Sequence, residues 1–158
     1  MKKVKIILVI ILLASIFIIQ NYNQNQELNL NKNIFAFDIK GSDKINDNEF
    51  KKVLLDYISI DVKRDYLSQY NLLSSFYLER YYKNITSAEE YQKMEKQSEI
   101  VVLGYLEITA YELLNENKYQ VDLIRKDGFE GEEYIKKVRY YFIKENNTWK
   151  LFDTDLLD

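Results

Sequence analysis

Aspartate and tyrosine are the side chains through which this sequence could carry out proton-transfer chemistry. An aspartate base can move a proton while a tyrosine hydroxyl and a neutral carboxylic acid stabilise the oxyanion that forms. Asp122, Tyr105 and Tyr140, with the neighbouring Tyr141, are the candidates by residue type. The chain has 14 tyrosines, so such a set also arises by chance. The alternative is that the rings pack in the core and Asp122 is an exposed strand residue.

The sequence contains neither cysteine nor histidine. Without cysteine, the chain cannot form disulfides, thiolate metal sites or a thiol nucleophile. Without histidine, it lacks the most frequent general base and a usual ligand of zinc and iron. We therefore predict no cofactor and no metal site, and any catalysis would have to use carboxylates and hydroxyls.

A cluster of acidic residues near two glycines is the remaining candidate for a cation site. Asp127, Glu130, Glu132 and Glu133 lie close together in the sequence. They lack the alternating Asp/Asn order of a calcium-binding loop. We expect a solvated, charged loop that begins at Asp127-Gly128 and turns the chain.

A basic and aromatic stretch is the candidate for polyanion binding. Cations interleaved with aromatic rings can stack on bases or sugars. Beyond the first five positions, however, 19 basic residues stand against 25 acidic ones, which gives a net charge of −6. An acidic body is poorly suited to a phosphate backbone, so we do not expect nucleic acid as a partner. The stretch consists of Lys136, Lys137, Arg139, Tyr140, Tyr141 and Lys144.

The N-terminus has the composition of a membrane-directed segment. Three lysines within the first five positions precede residues 6–19, a nearly unbroken apolar run. A signal peptide shares these features but ends in a cleavage site of small residues, which is missing after this run. A spanning helix needs about 20 apolar residues, slightly more than residues 4–19 supply. We predict an uncleaved signal anchor over residues 1–20, with a cleaved signal peptide as the alternative; both place the body outside the cytoplasm.

A polar tether and a folded domain follow this segment. Residues 21–44 are rich in Asn and Gln, apart from an apolar patch at Ile34–Ile39 that could add an edge strand or pack on the body. The folded domain then spans residues 45–158.

Helical patterns fill the first half of this domain. Asn46 and Glu49 form a plausible capping pair, and Ser87–Glu90 has the pattern of a capping box that opens a short helix to about Gln97. The charged stretch from Asp61 to Ser68 could continue the first helix or form a second one. A second apolar face runs from Leu72 to Tyr81. The first stripe recurs at helical spacing and comprises Phe50, Val53, Leu54, Tyr57 and Ile58.

The period changes to two from Glu99 onward, which predicts strands. The first strand is apolar on both faces, as in a covered central strand, and Gly104 marks a bulge or bend. Short turns at Asn115–Asn117 and Glu145–Asn147 separate further strands, the last of which carries Trp149, the only tryptophan. Helices followed by strands predict an α+β fold with helices packed on a four-strand antiparallel meander.

This order, together with four stretches of sequence, resembles the NTF2-like superfamily. More narrowly, it resembles the small exported or membrane-anchored NTF2-like domains of Gram-positive bacteria, whose functions are mostly unknown. The resemblance implies a cone-shaped fold with a curved sheet. It also implies a pocket between helices and sheet, where the enzymes of the superfamily hold an acid–base pair that often includes histidine. The four stretches are Tyr119–Ile124, Asp127-Gly128, Val138–Glu145 and Thr148–Leu151.

Two functions from different classes are compatible with these features. The first is a membrane-anchored, extracytoplasmic binding or assembly domain without catalysis. It would present a pocket or a sheet face to an envelope protein or a peptide, with the outer sheet face as the surface for a protein partner or a homodimer. The second is a small-molecule-binding pocket or an Asp/Tyr acid–base enzyme of the steroid-isomerase or dehydratase type. Because Asp122 shares a strand face with Ile124, an Asp122 pocket and an Ile124 interface exclude each other. The residues expected at the interface are Ile124, Tyr141, Ile143 and Phe152.

Overall fold

The computed structural model of the chain describes residues 39–157. The predicted signal anchor over residues 1–20, and most of the predicted tether, lie outside these described residues. No helix within residues 39–157 combines the length and the apolar character that a membrane crossing requires.

Helices precede strands throughout the described part of the chain. A short 3-10 turn is followed by four helices, and these by four strands that pair antiparallel in the order β1-β2-β3-β4. The predicted α+β class and the four-strand meander are therefore confirmed. The 3-10 turn is Ser42–Lys44; the helices are α1 (Asn48–Lys63), α2 (Tyr66–Tyr70), α3 (Ser75–Tyr81) and α4 (Ala88–Glu95); the strands are β1 (Val101–Asn115), β2 (Lys118–Phe129), β3 (Glu132–Glu145) and β4 (Thr148–Leu157).

Helix α1 lies across one face of the sheet, which we call the inner face; the opposite face is the outer face. The ring of Phe50 stacks on Tyr119 at 4.0 Å and meets Trp149 edge-on at 5.5 Å. Two turns further on, Tyr57 meets Phe142 edge-on at 5.8 Å. The predicted apolar stripe of this helix therefore contributes to the core, and the burial of such rings favours folding.

Side-chain caps set the helix boundaries. The carboxylate of Asp47 accepts a hydrogen bond from the Phe50 amide at 3.0 Å, so Asp47 caps α1 in place of the predicted Asn46. The helix ends where Arg64 adopts a left-handed φ of 56°, and Asp65 then caps α2. Ser87 caps α4, as its capping-box pattern predicted.

The turns confirm one prediction and correct another. The hairpin at Asn146-Asn147 has φ values of 50° and 62°, as a two-residue type I′ turn requires. By contrast, β2 continues through Asp127 and Gly128, which were expected to open a loop, and the chain turns only at Glu130-Gly131. Asp127 can remain in the strand because it has a cationic partner, described below.

Among the described residues, β1 is an edge strand, not the covered central strand that its apolar sequence predicted. It pairs with β2 and makes one further bridge, to Lys40. Leu103 and Leu106 are 43% and 46% exposed. The reason is topological: two-residue turns keep consecutive strands adjacent, so the first strand of a meander ends up at the edge. The bulge expected near Gly104 is present, as a register shift between Val102 and Gly104.

Residues 39–44, which the sequence assigned to the tether, lie against β1. Ile39 is buried, and the Lys40 carbonyl accepts a hydrogen bond from the Ile108 amide at 2.8 Å. Gly41 has a φ of 85°, and a Cβ at this position would lie 2.4 Å from the Ile108 carbonyl oxygen. Only glycine fits this crossing without displacing the backbone.

Candidate functional site

Asp61, in the last turn of α1, is the centre of a hydrogen-bonded group beneath the inner face. Its Oδ1 accepts from the Gln69 side-chain amide at 2.6 Å, and its Oδ2 accepts from the Tyr105 hydroxyl at 2.6 Å. In the sequence, Asp61 belongs to a charged stretch and has no other distinguishing feature of residue type. A signal was present, however, because Asp61 follows Tyr57 by four residues and Ile58 by three, and so continues the buried stripe.

A directed chain of hydrogen bonds leads from Arg125 to this carboxylate. Arg125 Nη1 donates to the Tyr140 hydroxyl at 2.9 Å, and the hydroxyls of Tyr140 and Tyr105 are 2.6 Å apart. Because Tyr105 uses its only proton on Asp61, Tyr140 must be the donor to Tyr105. The predicted pair Tyr105 and Tyr140 is thus in direct contact, but the carboxylate beside it is Asp61.

The other side of Arg125 is held by Asp127. Nη2 of Arg125 donates to Oδ2 at 2.8 Å, and Nε lies 2.7 Å from Oδ1. Lys136 Nζ lies 3.5 Å from the same carboxylate, whose side chain is 1% exposed. A buried carboxylate is stable only when it is paired in this way. Asp127 therefore serves to fix Arg125 in place and is not part of a solvated loop.

These groups border a cavity of ≈ 190 Å³ between the helices and the inner face. Many of its walls are tyrosine rings, which come from α1, α3, α4 and β3 and from the residue that follows α3. Asp61, Glu95 and Arg125 are its charged members. A cavity with convergent polar groups is the usual form of a small-ligand site. The tyrosines are Tyr57, Tyr77, Tyr82, Tyr91 and Tyr140.

Burial shifts the proton affinity of these groups. Desolvation raises the pKa of Asp61, although the Tyr105 hydrogen bond and the positive charge of Arg125 oppose the shift. Burial, followed by the negative charge of Asp61, holds the pKa of Tyr105 well above its usual range. Burial also raises the pKa of Tyr140, to about 12, with Arg125 acting against it. The two tyrosines therefore remain neutral donors at physiological pH, and Asp61 is the member of this hydrogen-bonded chain that changes protonation most readily.

Asp122 lies on the outer face, away from this cavity. Its carboxylate accepts from Arg139 Nε at 2.7 Å and from Nη2 at 2.9 Å, across the β2–β3 pair. It is 4% exposed. The expectation that Asp122 shares a pocket with Tyr105 and Tyr140 is therefore wrong, and so is the alternative of an exposed strand residue. Side chains alternate along β2, which puts Asp122 and the buried Leu123 on opposite faces.

The residues expected at an interface do lie on the outer face, but polar groups interrupt them. The Asp122–Arg139 ion pair lies between Ile124 and Tyr141 along the strands. Lys118 Nζ lies 5.1 Å from the Tyr141 ring centroid and 4.6 Å from that of Phe152. Phe152 is further covered by Phe76 of α3, whose ring stacks on it at 4.6 Å. Ile143, opposite Lys118, completes the set and is partly exposed.

Three of the four cations in the basic and aromatic stretch form internal ion pairs. Lys136 pairs with Asp127, Arg139 with Asp122, and Lys144 with Glu49. In the part of the chain that the structure describes, no three acidic residues are placed to hold a metal ion together.

Comparisons with known proteins give only distant likenesses. No protein-family model and no curated protein matches the chain. Among solved structures, the chain is similar to an NTF2-like protein of unknown function from Prochlorococcus sp. NATL2A, at 15% identity and a TM-score of 0.47, over 71% of this chain and 91% of that one. It is also similar to a SEC-C motif containing protein from Rhodopseudomonas palustris, at 14% identity and a TM-score of 0.48, over 68% of this chain and 78% of that one. Likenesses at this level do not assign the chain to a family.

Proposed function

We propose that this chain is a membrane-anchored, extracytoplasmic binding domain of the NTF2-like type, and that it holds a small hydrogen-bonding ligand in its interior cavity. The observation that carries the proposal is the polar character of the cavity between the helices and the inner face. Asp61 and Arg125 both border it, although a protein interior normally excludes charged groups. Arranging them around a cavity lowers stability, a cost that is understandable if the cavity is used for binding.

Ligand binding in the cavity can be tested with a substitution that fills the cavity with a larger side chain. Val102 borders the cavity, so Val102→Phe places a ring in the ligand space, whereas Val101→Phe makes the same change at the neighbouring position, which does not border it. We expect ligand-observed NMR with mixtures of small polar compounds to detect binders of the wild type and of Val101→Phe. Binding should be lost in Val102→Phe. Binders that Val102→Phe retains, or the absence of any binder, would refute the proposal.

Acid–base catalysis is the second candidate function, and the raised pKa of Asp61 favours it. A carboxylate with a raised pKa is a stronger base, and the Tyr105 and Tyr140 hydroxyls lie beside it. A small β,γ-unsaturated ketone is a suitable substrate, because its conjugated isomer absorbs in the ultraviolet. Isomerisation by the wild type that Asp61→Asn abolishes would support this function. Equal rates for the two proteins would exclude it.

The outer face is the proposed surface for a protein partner or for a homodimer. Ile135, on β3, is 68% exposed, and Ile124 and Ile143 are partly exposed. Replacing both Ile124 and Ile143 by Lys should then lower the mass measured by light scattering if two copies pair there. An unchanged mass would leave this face without a role in self-association.

The proposed location rests on residues 4–19, which would hold the domain at the outer side of the membrane. Alkaline extraction of membranes from a Gram-positive host should leave the full-length protein in the pellet. Protease added outside the cells should cleave it. Release of the protein into the medium would support a cleaved signal peptide instead.

A further inference from the structure

The walls of the interior cavity are suited to a particular class of ligand. Tyrosine rings from several parts of the chain border the same small space, and two of them, Tyr82 and Tyr91, meet edge-on at 5.0 Å. The faces of aromatic rings carry negative electrostatic potential and attract cations within about 6 Å. Groups of such rings are the usual way in which proteins bind quaternary ammonium ions.

The charges around the cavity also favour a cationic ligand. Asp61 and Glu95 both border it, and within residues 39–157 neither forms an ion pair with lysine or arginine. Glu95 instead accepts a hydrogen bond from the Tyr82 hydroxyl at 2.8 Å. Among the described residues, the only cation that borders the cavity is Arg125, which is already paired with Asp127. The space is therefore lined by two carboxylates that no cation of the described chain contacts directly.

From this arrangement we infer that the cavity binds a small organic ammonium cation. The tyrosine rings take the place of its hydration shell, and Glu95 and Asp61 supply the opposite charge. An anion of the same size is disfavoured, because it would meet two carboxylates in a site of low dielectric constant. This inference rests on the proposed ligand-binding function and names the class of ligand.

Choline and its neutral analogue 3,3-dimethylbutan-1-ol separate charge from shape, because the second compound replaces the ammonium nitrogen by carbon. The full-length protein is titrated calorimetrically with each compound in a maltoside detergent, which carries no ammonium group. We expect choline to bind about ten-fold more tightly or better, given the usual strength of a cation over aromatic rings.

Two variants of α4 identify the site. Glu95→Gln keeps an acceptor for the Tyr82 hydroxyl but removes the charge, so the affinity for choline should fall several-fold while the affinity for the alcohol is unchanged. Glu89→Gln makes the same change at an exposed position of the same helix and should bind both compounds as the wild type does.

The outcomes distinguish this inference from the broader proposal. Equal affinity of the wild type for the two compounds, or an equal loss of choline affinity in Glu95→Gln and Glu89→Gln, overturns the cation inference. Either result is still compatible with a cavity that binds a neutral ligand. If neither compound binds but the NMR mixtures yield ligands that Val102→Phe excludes, the inference fails alone. If those mixtures also yield nothing, both fail together.

Discussion

Replacing Tyr105 by Phe tests whether the chain from Arg125 to Asp61 stabilises the domain. The change removes one hydroxyl that donates to the Asp61 carboxylate at 2.6 Å and accepts from Tyr140 at 2.6 Å. A hydrogen bond to a charged group contributes about 1.5–3 kcal/mol, and a partner left without a bond adds to the loss. We therefore expect Tyr105→Phe to lower the free energy of unfolding by about 2–3 kcal/mol at pH 7.

The loss should depend on pH, with a sign that follows from Asp61. In the folded state the pKa of Asp61 lies above its ordinary value, so the ionised carboxylate lowers stability, and stability rises as pH falls through that pKa. The Tyr105 hydrogen bond lowers the pKa of Asp61, so this pKa should be higher in Tyr105→Phe than in the wild type. The variant should therefore lose stability over a wider range of pH. The difference between wild type and variant should therefore be largest at neutral pH and shrink as pH falls toward the ordinary carboxyl pKa, about 4.

Urea denaturation of the full-length protein in a nonionic detergent, at several pH values between about 4 and 7.5, measures this difference. Tyr111→Phe is the matched control, because Tyr111 is on the same strand, is partly exposed and makes no hydrogen bond through its side chain within the described residues. It should change stability by less than about 0.5 kcal/mol. A loss below that value for Tyr105→Phe, or a loss that is the same at pH 4 and pH 7, would refute the reasoning.

Three further substitutions, each followed by urea denaturation, test the framework around the site. Asp47→Ala removes the α1 cap and should lower stability by about 1 kcal/mol at pH 7. Because the pKa of Asp47 is lowered in the folded state, this loss should shrink as the pH falls through that pKa. Asp47→Asn keeps a capping oxygen and should be tolerated. Gly41→Ala should lower stability by about 2 kcal/mol or more, whereas Gly131→Ala, which has open space around it, should lose only about 1 kcal/mol from its φ. Arg139→Ala should lower stability by about 1–3 kcal/mol by leaving Asp122 without its partner, and the double variant Asp122→Asn with Arg139→Gln, which has no unpaired charge, should lose less.

Local patterns were enough to predict most of the framework. The Ser87 capping box, the Asn146-Asn147 turn and the alternation around Trp149 each depend on interactions within a few residues, so the sequence carries them directly. The edge position of β1 was not predictable from its own residues. It follows from the order of all four strands, and its apolar composition pointed to the opposite conclusion.

The sequence identified the two tyrosines of the site but not their carboxylate partner. Tyr105 and Tyr140 were chosen by residue type, and the structure brings them into contact, but their carboxylate partner comes from a helix 44 residues upstream of Tyr105. Asp122 was the wrong choice because its pairing with Arg139 depends on the β2–β3 register, which the loop expected at Asp127 obscured. A charged residue that follows an apolar stripe is easily expected to be solvent-exposed. Asp61 instead faces the sheet, because it lies four residues after Tyr57 on the same side of the helix.

The one-way order of the bonds from Arg125 to Asp61 has a consequence for what a ligand meets. A guanidinium can only donate, so while Asp61 is ionised both phenol protons point toward it. If Asp61 takes up a proton and donates it to Tyr105, Tyr105 can donate to Tyr140 instead, and because Tyr140 already accepts from Arg125, its own hydrogen then needs another acceptor. Because Tyr140 borders the cavity, protonation of Asp61 would in that arrangement leave a hydroxyl hydrogen free for a ligand there.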